Sequence, residues 1–393
     1  MQNKYVVQQI NVDDAQYTPL GYFPEEIDLA NLTSNESLLT REKHQLLEGL
    51  VIEYVAEQFI SSPFLKDSIV LLDVVTLIVR GIPDDHSNAL GQYCNFIWKR
   101  DNSDIEDFIS ILKNLSQGCA STTFLCKEEN MKFHTQKPGS SKWLPLQRYL
   151  CKKRKITNDK EIKFPQVNAE SKDNERQLSS ILGRLLPAYN KRIIRDVILP
   201  RVFKNYIIQP FFRSGWDLDR IFRYKGKLWE FELKHKYPID NYEFFEKINN
   251  TNNRYCLSFG INEGQANIIK LLADQGLNTL HLILVKPRWT DQEDPGYLFV
   301  DEDARKNTLV IGAVLTPDKI NAIMKGDLKK APSKTSFSGA SKANYYRIPR
   351  NFFQVIGRYA DGKDNLTPNI IRLLDGNLNS PLTTDTLLEN RLS

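Results

Sequence analysis

Between residues 213 and 238 the chain reads R-S-G-W-D-L-D-R-I-F-R-Y-K-G-K-L-W-E-F-E-L-K-H-K-Y-P, which sets the carboxylates of Asp217, Asp219, Glu230 and Glu232 among cations in an alternating pattern. Apolar and polar residues alternate over 217–222 and again over 227–234, with Lys225-Gly226 between them as a turn, so the stretch predicts a β-hairpin. Side chains two apart on a strand point the same way. Glu230, Glu232 and Lys234 therefore share one face of the second strand, and Trp229, Phe231 and Leu233 share the other; Asp217, Asp219 and Ile221 point together on the first. Pairing in register brings Asp219 near Glu232 and Lys234. Adjacent carboxylates repel and are costly to bury unpaired, so such a cluster suits a hard divalent cation with oxygen ligands. A lysine beside that cation can orient water or offset charge on a reacting phosphate. Asp217 and Glu230 compete as alternative ligands, but only Glu232 has a lysine two positions on. The plainer reading is a solvated strand face of mixed charge. The D-x-D, the E-x-E-x-K and the aromatics Trp216, Phe222, Trp229 and Phe231 weigh against it.

At these residues the sequence resembles the PD-(D/E)XK nuclease superfamily, whose pattern is an acid on one strand and then an acid, any residue and Lys on the next. The matching positions are Asp219 and Glu232-Leu233-Lys234, with Leu218 standing where the pattern has Pro. The resemblance covers roughly residues 173–290. It implies an α/β fold of α+β type, a mixed sheet flanked by helices as in restriction endonucleases. It also implies that Asp219 and Glu232 ligate Mg²⁺ and that Lys234 helps activate the attacking water. A helix ahead of the first catalytic strand often lends a further acid in that superfamily, and chain order points to Glu175. The implied function is a Mg²⁺-dependent endonuclease cutting double-stranded DNA. With no G-x-x-x-x-G-K-[ST] motif present, a type II restriction endonuclease is the nearest comparison. Homodimers are common among such enzymes, because a two-fold axis fits a palindromic duplex. A repair, junction-resolving or other defence nuclease on the same fold is the alternative, as is a non-catalytic DNA-binding protein.

The formal net charge of +5 hides an asymmetry, since residues 1–150 are net acidic and residues 151–393 net basic. That places nucleic-acid contact in the second part. Apolar spacing predicts helices over 38–60, 65–79, 86–100 and 104–115, so residues 1–150 read as a mostly helical portion. A charged linker over 151–172, opening C-K-K-R-K, leads to a nuclease domain with a C-terminal extension over 173–393. Within it, helices are expected over 173–186, 189–202 and 242–249. A strand over 255–261, a helix over 265–275 and a strand over 280–286 suggest a βαβ unit with its two strands parallel, followed by a strand over 309–315 and a helix over 317–324.

The candidate DNA contacts are Arg213, Arg220 and Lys236 around the hairpin, with Arg192, Arg195, Arg201 and Lys204 on the helix before it. Arg347 and Arg350 join them from Y-Y-R-I-P-R-N-F-F, where basic and aromatic residues interleave, although the commoner explanation of such a segment is a terminal strand or helix with core aromatics. The five cysteines form no disulfide pattern, and zinc at Cys119, Cys126, His134 and Cys151 is disfavoured because no C-x-x-C pair occurs. No apolar signal core opens the chain, and the apolar run 68–82 is broken by Asp73 and Arg80, so a cytoplasmic protein without a membrane span is expected. Affinity for double-stranded DNA should fall steeply and linearly in log–log form with salt, because phosphate neutralisation releases counterions. A titration at several salt concentrations checks this, and a salt-insensitive complex would contradict it.

Overall fold

The computed structural model describes residues 5–9, 17–18, 21–22, 46–60, 69–81, 93–115, 121–129, 132–136, 139–153, 161–165, 183–185, 192, 194–212, 214–240, 257–290, 293, 295–330 and 343–392. Lys225 and Gly226 both take positive φ, 49° and 73°, as the two central residues of a tight hairpin turn require. Arg220–Tyr224 (β1) thereby folds antiparallel onto Lys227–Lys236 (β2), with Ile221 opposite Glu230 and Phe222 opposite Trp229. The hairpin begins at Arg220 rather than 217. Ser214–Leu218 instead pairs with Val74–Arg80 in a different sheet, with Asp217 opposite Leu77. That pairing is long-range, so the local alternation through 217–222 gave no sign of the break.

Packing divides the chain between Leu218 and Asp219. One compact unit holds Met1–Leu46, Leu72–Leu218 and Lys334–Ser341, and the other Leu47–Leu71, Asp219–Ser333 and Lys342–Ser393. The second unit contains β1 and β2. Its six-stranded sheet runs, in spatial order, Gln354–Arg358 (β5), Leu309–Leu315 (β4), Asn278–Val285 (β3), β2, β1 and Ile69–Leu72. β3 is parallel to β2, with Glu230 beside Thr279 and Glu232 beside His281. A parallel pair needs a crossover, and Glu263–Asp274 (α1) lies within it. The parallel pair expected between the strands over 255–261 and 280–286 is therefore not formed, and the parallel partner of β3 is β2. Leu257–Asn262 belongs to a second sheet, between Ile239–Asp240 and Asn344–Pro349.

On the face of β2 that carries the acids, Ile283, Val285, Leu309, Ile311 and Ala313 are packed with Phe259, Ile269, Ile320 and Phe353. Each fully buried side chain of this size contributes about 1.5–3 kcal/mol. Pro317–Met324 (α2) starts where its sequence says it should, because Thr316 caps it by accepting from the Lys319 N–H and Pro317 opens its first turn.

The first unit is also built on a mixed six-stranded sheet, ordered Ser214–Leu218, Val74–Arg80, Cys94–Lys99, Thr122–Glu129, Lys132–Gln136 and Trp143–Pro145. The helices expected over 65–79 and 86–100 are therefore strands where described, and the mostly helical reading of residues 1–150 is corrected to α/β. Val74, Val75, Thr76, Ile78 and Val79 are β-branched, and the strand is buried on both faces, which erases the two-residue alternation. Glu106–Lys113 is a helix as expected, and the 38–60 expectation survives as Leu46–Ile60. The 189–202 expectation lengthens into a continuous helical run through Ile194–Ile198, Leu199–Arg201, Val202–Ile208 and Gln209–Phe211. The helix expected over 242–249 and most of that over 173–186 lie outside the described residues. No helix among the described residues is long and apolar enough to cross a membrane.

On the opposite face of the second unit's sheet, Gly312 is the point of closest packing. A Cβ there would meet Leu282 Cδ2 at 2.5 Å and, on Lys363–Leu374 (α3), Leu373 Cδ2 at 2.7 Å. Gly312→Val should lower stability by about 1–3 kcal/mol through overpacking. Urea denaturation reads this directly, and an unchanged midpoint would show that α3 is not seated on β4.

Candidate active site

Two strands and the residue preceding one of them assemble the site. The polar alternation of β2 puts Glu230, Glu232, Lys234 and Lys236 on one face, and Asp219 stands immediately before β1. Arg220 Nη1 donates to the Asp219 carbonyl at 2.8 Å. Lys234 Nζ lies 3.9 Å from Asp219 Oδ2 and forms an ion pair with Glu232 Oε1. Its ammonium therefore bridges the two carboxylates that the sequence paired. Glu232 is buried, with its side chain 3% exposed, whereas Lys234 and Asp219 are about one-third exposed, at 32% and 29%.

Glu230, two residues away, is handled differently. Its Oε2 accepts a hydrogen bond from Thr279 Oγ1 at 2.7 Å, inside the protein. Burial first, and the neighbouring Glu232 charge second, push its carboxyl up to about 8, against the opposing pull of the Thr279 hydrogen bond. Burial and the neighbouring carboxylate thus favour the protonated form of Glu230, while it is Glu232 that meets the Lys234 ammonium. The carboxylate facing a cation is that of Glu232.

Sequence reasoning missed Thr279 and His281. The only local signal was two polar residues inside the apolar run N-T-L-H-L-I-L-V of β3. His281 is fully buried beside Glu232, and among the described residues neither ring nitrogen has a hydrogen-bond partner. Burial first, then Lys236 and Lys234, hold its pKa well below the ordinary histidine value, so the ring is neutral.

The remaining expected residues are distributed as follows. Lys236 Nζ donates to the Gly260 carbonyl in the second sheet. Arg220 lies opposite Phe231, on the face of the hairpin away from Glu232. Arg347 sits half-buried opposite Gly260, and Arg350 half-buried in the turn Arg350–Phe352. Tyr345 and Phe353 are core residues, so most of the aromatic content of that segment serves packing. Asp217 belongs to the first unit, where Lys204 Nζ donates to its Oδ2 at 2.8 Å. Arg195 is ion-paired with Asp73, Arg192 with Asp196, and Arg201 is buried. Glu175 and Arg213 lie outside the described residues.

Among the described residues no three His, Cys, Asp or Glu side chains converge as a metal cage. Magnesium does not need one, because it keeps several waters and takes one or two carboxylates plus substrate phosphate oxygens. Asp219 and Glu232 fit that requirement. Glu232 Oε1 is buried, accepts no regular hydrogen bond and is faced by an ammonium, which marks a position built for positive charge. Burial pushes the Cys126 and Cys151 thiols up to about 12 and about 11, so as they stand both are poor metal ligands. Comparison of the chain with protein-family models, with curated proteins and with solved structures gave no match.

The proton on Glu230 has a thermodynamic signature. A carboxyl whose folded pKa lies above its unfolded value contributes stability that is complete below about 4.5 and lost as the pH rises through about 8. The wild-type urea midpoint should therefore fall between these limits, and Glu230→Gln should flatten the profile and gain on the order of a few kcal/mol at the alkaline end. Parallel profiles for the two proteins would contradict the assignment.

Proposed function

We propose that this chain is a Mg²⁺-dependent endonuclease of the PD-(D/E)XK kind, hydrolysing phosphodiester bonds of double-stranded DNA as a type II restriction endonuclease. The observation that carries the reading is the Lys234 ammonium bridging Asp219 and Glu232 across one hairpin. Support comes from the mixed sheet, whose catalytic strand has a parallel neighbour reached through a helical crossover. The net basic character of residues 151–393 also supports it. The enzyme acts as a homodimer on a two-fold DNA site, in the cytoplasm, where its cysteines stay reduced.

Asp219 and Glu232 would hold the cation, which when bound supplies the positive charge that draws in the scissile phosphate and acidifies the attacking water. Lys234 then no longer has to neutralise Glu232. Its ammonium, on a side chain one-third exposed, turns toward the attacking water and the phosphate, where negative charge builds in the transition state. Glu230 stays protonated on Thr279 and adds no further repulsion to the site. In-line displacement then cuts the phosphodiester bond.

Asp219→Ala and Glu232→Ala should each abolish cleavage and leave folding and DNA binding intact. Lys234→Ala should lower turnover by on the order of 10²–10³-fold at nearly unchanged DNA affinity, the loss typical of removing one preorganised electrostatic group. Cleavage rates measured beside equilibrium DNA binding separate these outcomes. Full activity in either acid variant would move the site elsewhere.

A further inference from the structure

We propose that His281 is a positioning residue for the metal-binding carboxylate, donating a ring N–H to Glu232 when Lys234 leaves it for the phosphate. The inference rests on the nuclease reading and adds a residue that the acid-acid-lysine pattern does not contain.

The parallel register of β2 and β3 sets two carboxylates beside two polar side chains, Glu230 beside Thr279 and Glu232 beside His281. The first pair is satisfied, with Thr279 donating at 2.7 Å. The second is not. Among the described residues Glu232 Oε1, His281 Nδ1 and His281 Nε2 are all buried and have no hydrogen-bond partner, and Glu232 Oε1 is ion-paired with the Lys234 ammonium. Leaving buried polar atoms unpaired costs about 1–3 kcal/mol each, so a histidine kept in this state needs a reason beyond packing. Its ring lies 6.2 Å from that of Phe353, and Ala313 is its neighbour on β4, so an apolar side chain would suit the same space. A neutral imidazole carries one N–H, and neighbouring strands lie only ~4.8 Å apart, so the ring and the carboxylate branch from adjacent positions on β3 and β2. Metal-bound carboxylates are themselves held by hydrogen bonds, and these fix the angle at which they meet the cation. While Lys234 holds Glu232, that bond is not needed. Once the lysine is occupied by the reacting phosphate, His281 is the buried donor beside the carboxylate.

The test compares the full-length wild type with His281→Leu, His281→Asn and His281→Gln. Three quantities are measured: Mn²⁺ binding by electron paramagnetic resonance in the presence of uncleavable DNA, the Mg²⁺ concentration for half-maximal cleavage, and thermal unfolding. The leucine variant should bind Mn²⁺ and use Mg²⁺ about 10–100-fold more weakly. It should melt no lower than wild type, since it removes two unpaired buried nitrogens. At least one of the amide variants, which keep an N–H donor, should recover most of the loss. Leucine at wild-type cation affinity would overturn the proposal, as would a leucine variant that only loses stability. Should leucine fail to fold, ring-¹⁵N resonances of labelled wild type decide: Mg²⁺ with uncleavable DNA should shift the protonated His281 nitrogen, and an unmoved signal overturns the role. A wild type that binds no Mn²⁺, or binds it as well after Glu232→Ala, removes the metal reading and His281 with it. Wild-type binding unaffected by leucine removes His281 alone.

Discussion

The protein buries two carboxylates, Glu230 and Glu232, two residues apart on one face of an interior strand, and the rest of the second unit is arranged to make that tolerable. Taking one ion out of water costs several kcal/mol, and two like charges would compound the penalty. The two acids escape it by different routes. Glu230 is kept as a neutral acid hydrogen-bonded to Thr279, and Glu232 is left to face a cation. Both routes need β3 beside β2, and that parallel pairing needs the crossover carrying α1.

The same arrangement grades the site from dry to wet. Glu230, Glu232 and His281 are closed off, while Lys234 and Asp219 reach solvent. Lys234 and Asp219 stand at the open end, with Glu232 behind them. The low-dielectric surroundings of Glu232 strengthen its attraction to the Lys234 ammonium. Lys236, tied to Gly260, joins the end of β2 to the second sheet. That strand is buried on both faces, with Phe231 and Leu233 on the opposite one.

Where local chemistry decides an element, the sequence was sufficient. Lys225-Gly226 marked the hairpin turn, Thr316-Pro317 marked the start of α2, and the strand over 309–315 was read at its observed length. The approach of Asp219 to Glu232 and Lys234 followed from the period-two alternation together with the hairpin turn. Failures came where long-range pairing decides. Val74–Arg80 and Cys94–Lys99 are apolar throughout because both faces are covered, and their spacing fits a helix as readily as a strand. Asp217 looked like a neighbour of Asp219 in function because nothing local shows that its strand pairs with Val74–Arg80. Thr279 and His281 were invisible as site residues because they meet Glu230 and Glu232 only through a register set across 49 residues.

The most direct test of the account is incubation of the purified chain with plasmid and genomic DNA, with Mg²⁺ and with a chelator. Mg²⁺-dependent cutting into discrete fragments, abolished by the chelator and restored by added cation, is the predicted result. Intact DNA at every divalent-cation concentration, or cutting that survives chelation, would contradict the central claim that Asp219, Glu232 and Lys234 form a metal-dependent nuclease centre.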